Sequence, residues 1–221
     1  MSTIAIIGAG PGLGASVARR FGREGFSIAL MSRTRENVDR LAGELSADGI
    51  TARGYVADTR DAGSIATALT SAAEDLGPVE VLQYSPIPAP EFLRPVLDTG
   101  VEDFKSAIEF SVYGSVTAVQ QVLPAMTVRG SGTILLVNGS SASIPNGKVA
   151  GTSVAFAAES AYGAILHDAV SDRGVHVGQL IVPGAIGGGD PQYEPNALAD
   201  RLWAMHAHRG PFRVTIGAEQ D

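Results

Sequence analysis

The chain has 221 residues, 45% apolar and 18% charged, and a formal charge of −7 from 16 Lys and Arg against 23 Asp and Glu. An acidic balance argues against nucleic-acid or anionic-membrane partners, which need a basic surface. The absence of cysteine excludes disulfides, thiolate catalysis and Cys-ligated zinc.

No long polar or Pro/Ser-rich stretch interrupts the chain, so one domain over residues 1–221 is expected. No apolar run approaches the roughly 20 residues of a membrane span. Met1-Ser2-Thr3 leads straight into a strand pattern without a signal-like segment, so the expected location is cytoplasmic.

Strand and helix patterns alternate. Thr3–Ile7 is a continuous apolar strand, and Ala15–Phe21 supplies a helix. Phe26–Met31 reads as a second strand and Glu36–Leu45 as a polar-faced helix. Thr51–Val56 is a third strand, followed by a helix over Asp61–Leu76 with Ile65, Leu69 and Ala72 on one face. Val79–Tyr84 is a fourth strand. A long helix is expected over Phe104–Met126, stopped near Pro124. Gly132–Val137 is a fifth strand. Ala155–Val170 is a helix whose Tyr162, Leu166 and Val170 recur every four residues. Val175–Val182, a helix over Ala197–His206 and a strand over Phe212–Ile216 complete the series. Continuous apolar strands between amphipathic helices imply an α/β fold, a doubly wound parallel sheet covered on both faces. Ligands of such sheets sit beyond the C-terminal strand ends.

The first strand ends in Gly8-Ala9-Gly10-Pro11-Gly12-Leu13-Gly14 and runs into a helix. That order is the start of a dinucleotide-binding βαβ unit. Gly8 permits the tight turn, Gly12 lets backbone approach a pyrophosphate, and Gly14 lets helix pack on sheet. The helix N-terminus then offers N–H groups and a positive dipole end to phosphate. After the second strand stands Ser32-Arg33-Thr34-Arg35, with no acid to bind ribose hydroxyls. A guanidinium there suits a 2′-phosphate, which points to NADP(H) and to Arg33 as its reader. Asp58, after the third strand, either accepts a hydrogen bond from the adenine amino group or caps the next helix. Tyr84-Ser85-Pro86-Ile87-Pro88-Ala89-Pro90 is a stiff loop at the fourth strand end, and Tyr84 or Phe92 is a candidate wall of a substrate pocket.

In these features the chain resembles the short-chain dehydrogenase/reductase family. The glycine loop is similar to that family's Thr-Gly-x-x-x-Gly-x-Gly, with Ile7 in place of threonine. Arg33, Asp58, Gly132-Thr133-Ile134-Leu135, Val122-Leu123-Pro124-Ala125-Met126 and Pro183-Gly184 fall in family order, and the resemblance runs from about Thr3 to Ile216. It implies a Rossmann-type sheet of about seven strands. It also implies cofactor contacts from Gly8, Gly10, Gly12, Leu13, Gly14, Arg33, Asp58 and Ser85. A homotetramer or homodimer is implied through the helices starting near Phe104 and Ala155.

The family's Ser–Tyr–Lys chemistry, often joined by an Asn, is missing. No Tyr-x-x-x-Lys occurs anywhere. An ungapped register puts Thr152 at the tyrosine place and Phe156 at the lysine place, and a gapped one puts Phe156 and Ser160 there. The serine place falls on Gly139 or Ser140 and the asparagine place on Ser111. Neither register supplies an unaided acid. Ser140 is therefore the candidate substrate contact, Tyr113 or Tyr84 the candidate proton donor, and Thr152 a lesser polar contact. Three readings stay open. One is an NADP(H)-dependent oxidoreductase acting on a small carbonyl, enone or imine-like substrate. Another is a non-redox cyclase, isomerase or dehydratase-like enzyme, and the last is a catalytically silent nucleotide-binding protein.

No metal site is expected, because no carboxylate completes a ligand set with His206 and His208. Those two histidines are placed at a helix end or pocket rim, His167 and Asp168 on an exposed face, and His176 at a strand edge or subunit contact. Glu159 is an unusual candidate base, but the expectation is a solvated face. Trp203 is expected to pack the last helix.

Overall fold

The apolar runs form the strands of a computed structural model that describes residues 2–217. They are β1 (Thr3–Ile7), β2 (Ser27–Ser32), β3 (Ala52–Val56), β4 (Val79–Tyr84), β5 (Gly132–Gly139), β6 (Val175–Val182) and β7 (Arg213–Thr215). Together they make one seven-stranded sheet in the order β3-β2-β1-β4-β5-β6-β7. Every pairing is parallel. The strand order reverses between β1 and β4, where Ile7 stands opposite both Met31 and Tyr84. A crevice opens at such a reversal, because the chains leaving the two strands turn to opposite faces of the sheet.

The helices are α1 (Leu13–Arg23), α2 (Arg35–Ala47), α3 (Ala62–Leu76), α4 (Val101–Ile108), α5 (Gly114–Arg129), α6 (Ala150–Val170) and α7 (Pro195–His208). Side chains alternate along a strand, so each buried strand feeds two cores. Ile4 and Ile6 pack with Val17, Phe21, Leu41 and Leu202 of α1, α2 and α7. Ala5 and Ile7 pack with Ile65, Leu69, Val119 and Val122 of α3 and α5. A smaller cluster around Phe92, Phe110, Phe156 and Ile181 closes one end of the second layer.

Three differences from the sequence-based expectation bear on the site. The long helix over Phe104–Met126 is α4, a π-helical turn (Glu109–Tyr113) and α5. Pro124 lies inside α5 and does not stop it; the helix ends at Gly130, which takes the left-handed conformation at φ 67°. α6 begins at Ala150, five residues before Ala155, which puts Thr152 in its first turn. β5 runs two residues past Val137, so Asn138 is a strand residue paired with Ile181.

Two of the histidines depart from expectation. His167 is half-buried, with its Nδ1 2.7 Å from the Val177 carbonyl oxygen and its ring against His176 and Phe212. His176 is buried beside Thr133 of β5. His206 and His208 stand in the last turn of α7, the helix end expected for them, and His206 lies in an aromatic cluster with Phe21, Phe26 and Trp203, its Nδ1 2.9 Å from Thr133 Oγ1. Among the described residues no cluster of His, Asp and Glu can hold a metal ion, and no helix is long and apolar enough to cross a membrane.

Candidate functional site

The loop after β1 is fixed by backbone bonds. Gly8 and Ala9 both donate N–H to the Met31 carbonyl at 3.0 Å, and Ser85 N–H donates to Ile7 at 2.9 Å. Gly8 takes φ +98°, and a Cβ there would lie 2.5 Å from the Ser85 carbonyl oxygen. A Cβ on Gly14 would meet Ala9 Cα at 2.9 Å. These two glycines serve close backbone approach. Gly10 and Gly12 differ, having nothing within 4 Å of their Cβ positions. They border open space at the N-terminus of α1, where no side chain caps the first turn. Uncapped N–H groups, a positive dipole end and room beside them are what a pyrophosphate needs.

The cleft runs both ways from this loop. One arm is lined by Ser32, Arg33, Thr34, Asn37, Asp58 and Arg60, with Phe92 and Phe110 deeper in. The other, about 420 Å³, is lined by Ser85, Pro86, Val137, Asn138, Gly139, Phe156, Val182 and Ile186. Gly8, Gly10, Pro11, Pro86 and Ile87 border both arms, so they form one continuous cleft across the strand reversal. Arg33 is exposed and has no ion pair among the described residues. Arg35 is turned away, donating to the Gly54 carbonyl at 3.1 Å and pairing with Asp39 at 3.5 Å. Arg60 was not anticipated; it lines the Arg33 arm, and its Nε is 3.9 Å from Asp58. Asp61, not Asp58, caps α3, its Oδ1 accepting from Gly63 and Ser64 N–H at 2.9 and 3.1 Å. Asp58 is thereby left facing the cleft. All eight residues expected to contact a cofactor line this cleft, and the glycine cradle, free N-terminus and cationic arm fit a phosphorylated dinucleotide.

The expected catalytic side chains are not brought together. Tyr84 is fully buried, and its hydroxyl donates to the Phe110 carbonyl in the π turn, tightly against Gly114. Burial holds this phenol well above its ordinary range. Tyr113 is 61% exposed and stands outside the cleft walls. Thr152 is buried, its Oγ1 donating to the Val149 carbonyl at 3.1 Å. A threonine in a first helical turn readily bonds back to the chain in this way. Ser140 opens a short 3₁₀ turn, and its carbonyl accepts from Ser143 and Ile144 N–H; its side chain lines neither arm.

In their place stands a buried polar chain behind the cleft wall. Glu159 is 1% exposed, not solvated. Its Oε2 accepts from Ser111 Oγ and, at 3.2 Å, from Asn138 Nδ2. Asn138 Oδ1 accepts from Gln179 Nε2 at 2.8 Å. Gln179 Oε1 accepts from Ser160 Oγ at 2.8 Å and from Arg213 Nε at 3.0 Å. Burial pushes the Glu159 carboxyl up to about 8, partly offset by the bonds from Ser111 and Asn138. Asn138 carries the chain to the cleft, an arm of which Phe156, one helical turn before Glu159 on α6, also lines. An Asn at the end of an apolar strand, with Gln179 on the neighbouring strand, was the sequence signal for this chain.

A sequence model described as short chain dehydrogenase matches residues 2–190. The chain is 31% identical over 160 residues to "Oxidoreductase UcpA" of Escherichia coli strain K12, covering 72% of this chain and 56% of that protein. It is 30% identical over 147 residues to "2,3-dihydro-2,3-dihydroxybenzoate dehydrogenase" of Bacillus subtilis strain 168, covering 66% of this chain and 55% of that protein. The aligned stretch is thus about half the length of each of these two relatives. Among solved structures, a metagenomic short-chain oxidoreductase in complex with NADP superposes with a TM-score of 0.85 at 20% identity, covering 97% of this chain and 96% of that one. At that identity the likeness is one of fold.

Proposed function

The chain belongs to the short chain dehydrogenase family, and from that premise we propose that it is an NADP(H)-dependent oxidoreductase with a non-standard reacting end. The carrying observation is the continuous cleft, which has cations at one end, a glycine cradle in the middle and an apolar chamber at the other. Arg33 holds the 2′-phosphate with Arg60 beside it, and Asp58 takes the adenine amino group. Backbone N–H groups from Gly10 to Gly14 hold the pyrophosphate, and Ser85, Asn138 and Gly139 border the nicotinamide. The NADP complex of a protein with this fold supports the same reading. When bound, the cofactor supplies or accepts hydride.

The chamber selects the substrate class. Its lining residues include Pro86, Val137, Phe156, Val182 and Ile186 and no titratable side chain. A ketone whose reduction needs strong protonation at oxygen is poorly served here. A small apolar molecule with an already activated electrophile needs little acid help: hydride addition to an iminium gives the amine directly, and the enolate left by hydride addition to an enone takes its proton from solvent. Pro86 and Phe156 wall the substrate face, and Asn138 supplies the polar contact.

A second reading is a silent nucleotide-binding protein, favoured by the position of Tyr84 and the back-bonded Thr152 hydroxyl. Titration with NADPH and NADH, read by nicotinamide emission and energy transfer from Trp203, tests the common part. Tight, NADPH-preferring binding followed by enone- or imine-dependent NADPH oxidation supports the enzyme. Binding without turnover across such a screen favours the silent protein, and no binding of either nucleotide overturns both. We further propose a homo-oligomer, in which the exposed Tyr113, Val154 and Ile165 on the π turn and α6 become covered. Sedimentation as a monomer at micromolar concentration would contradict it.

A further inference from the structure

Glu159 has no place in that account, yet it is the acid nearest the reacting end by connection. A dinucleotide with its 2′-phosphate at Arg33 and its pyrophosphate at the glycine cradle directs its nicotinamide into the chamber lined by Asn138 and Phe156. Glu159 is one side chain behind that wall, bonded to Asn138 and one helical turn along α6 from Phe156. Its Oε1 is buried without a hydrogen-bond partner, and no cation forms an ion pair with it among the described residues. A buried carboxylate left so poorly compensated is costly, so the neutral acid is the resting form. The pyridinium of NADP+ is a cation; the dihydropyridine of NADPH is neutral.

We propose that Glu159 couples its proton to the oxidation state of the nicotinamide. The carboxylic acid stays intact beside NADPH, and beside NADP+ its O–H bond breaks and the proton leaves to solvent, with no electron transferred. Ionised Glu159 and the pyridinium then attract one another across Asn138. The coupling is reciprocal: NADP+ lowers the pKa of Glu159, and ionised Glu159 tightens NADP+. Glu159 is thus a positioning residue for charge, acting on the cofactor through space and through the Asn138 amide. This inference rests on the NADP(H) reading above.

The other ionisable groups near this part of α6 do not supply the effect. Tyr84 on β4 feels the Glu159 charge, but its own burial keeps it neutral. Glu91 follows β4; Glu102, Asp103 and Lys105 are on α4; Glu109 is on the π turn; His176 is on β6 and Arg213 on β7. His167 and Asp168 are further along α6 itself. None of these appears among the causes that set the Glu159 pKa, which are burial and the bonds from Ser111 and Asn138.

The test is direct titration of the full chain with NADP+ and with NADPH at several pH values. The 2′-phosphate titrates in both nucleotides and cancels in the ratio of dissociation constants. In the wild type, Kd(NADP+)/Kd(NADPH) should fall about tenfold for each pKa unit by which the pyridinium lowers Glu159, over a window centred near neutral to mildly alkaline pH. In Glu159→Gln the ratio should be flat. Proton release on adding NADP+ to the wild type in weak buffer, followed with an indicator dye, gives the same answer without a variant; NADPH should release fewer protons. A flat wild-type ratio with no proton release, or a slope retained in Glu159→Gln, overturns this inference while leaving the cofactor assignment standing. Failure to bind either nucleotide overturns the cofactor assignment and this inference with it.

Discussion

Gly8 and Ser85 touch backbone to backbone across the strand reversal, so closely that no side chain fits on Gly8. An added Cβ would be 2.5 Å from the Ser85 carbonyl oxygen and 2.7 Å from Pro86, at a φ of +98°. Gly8→Ala should therefore lower stability by about 2–4 kcal/mol through strain and overlap. Gly10→Ala, with nothing within 4 Å of its Cβ position, should stay within about 0.5 kcal/mol of the wild type and yet weaken nucleotide binding. Chemical denaturation of both variants, beside a binding titration, separates the hinge of the cleft from its floor.

Arg33→Ala should weaken NADPH far more than NADH, by about tenfold to a hundredfold, because a hydrogen bond to a charged group contributes roughly 1.5–3 kcal/mol. Arg60→Ala should show the same preference at smaller size, since Asp58 already shares that guanidinium. Equal weakening of both nucleotides would remove the 2′-phosphate assignment.

Tyr84→Phe loses one buried hydrogen bond to the Phe110 carbonyl. About 1 kcal/mol of stability should go with it, while NADPH affinity and any turnover stay close to wild type. A large loss of turnover at unchanged stability would restore Tyr84 as a candidate acid.

Glu159 also shapes stability against pH. Its carboxyl rises from an ordinary 4.5 to about 8 on folding, so the folded chain holds a proton the unfolded chain has released. The stabilising difference is fully present below about pH 4.5 and is lost as pH rises to about 8. Glu159→Gln has no such proton to lose. It should gain on the wild type through that window, by up to a few kcal/mol, in denaturation midpoints measured from acid to mildly alkaline pH.

His176 acts in the opposite direction. Burial lowers it from 6.5 to about 4, helped by the charge of His167. Its contribution is present above pH 6.5 and is lost as pH falls towards 4. His176→Gln should flatten this acid limb, and an unchanged limb would assign acid sensitivity to other groups.

The glycine loop of the cleft was legible because its signals are local: an apolar strand, glycines at fixed offsets and a helix start all fall within Thr3–Phe21. The apolar chamber was not, because α6 is apolar or small on nearly every face. Tyr162, Leu166 and Val170 suggested one buried stripe; Val170 is in the core and Tyr162 and Leu166 pack half-buried against it, while the deepest face carries Thr152, Phe156, Glu159, Ser160 and Gly163. Glu159 is tolerated there only because Ser111 and Asn138, 48 and 21 residues away along the chain, supply donors. Such compensation is tertiary and leaves no periodic trace. Pro124 misled for a related reason: a helix held by packing on α3 and the sheet survives one missing N–H.

α4, the π turn at Glu109–Tyr113 and α5 run on as one unbroken helix. The turn lodges one residue more than an α-helical turn needs and takes it up by widening locally, so the helices on either side keep their phase. Its widened backbone is where Phe110 reaches the cleft, where the Phe110 carbonyl accepts from Tyr84 and where Ser111 meets Glu159. The wall of the cleft and the donor to its hidden acid thus stand on a single surplus residue, and a lineage that lost it would keep both helices and have to rebuild those contacts.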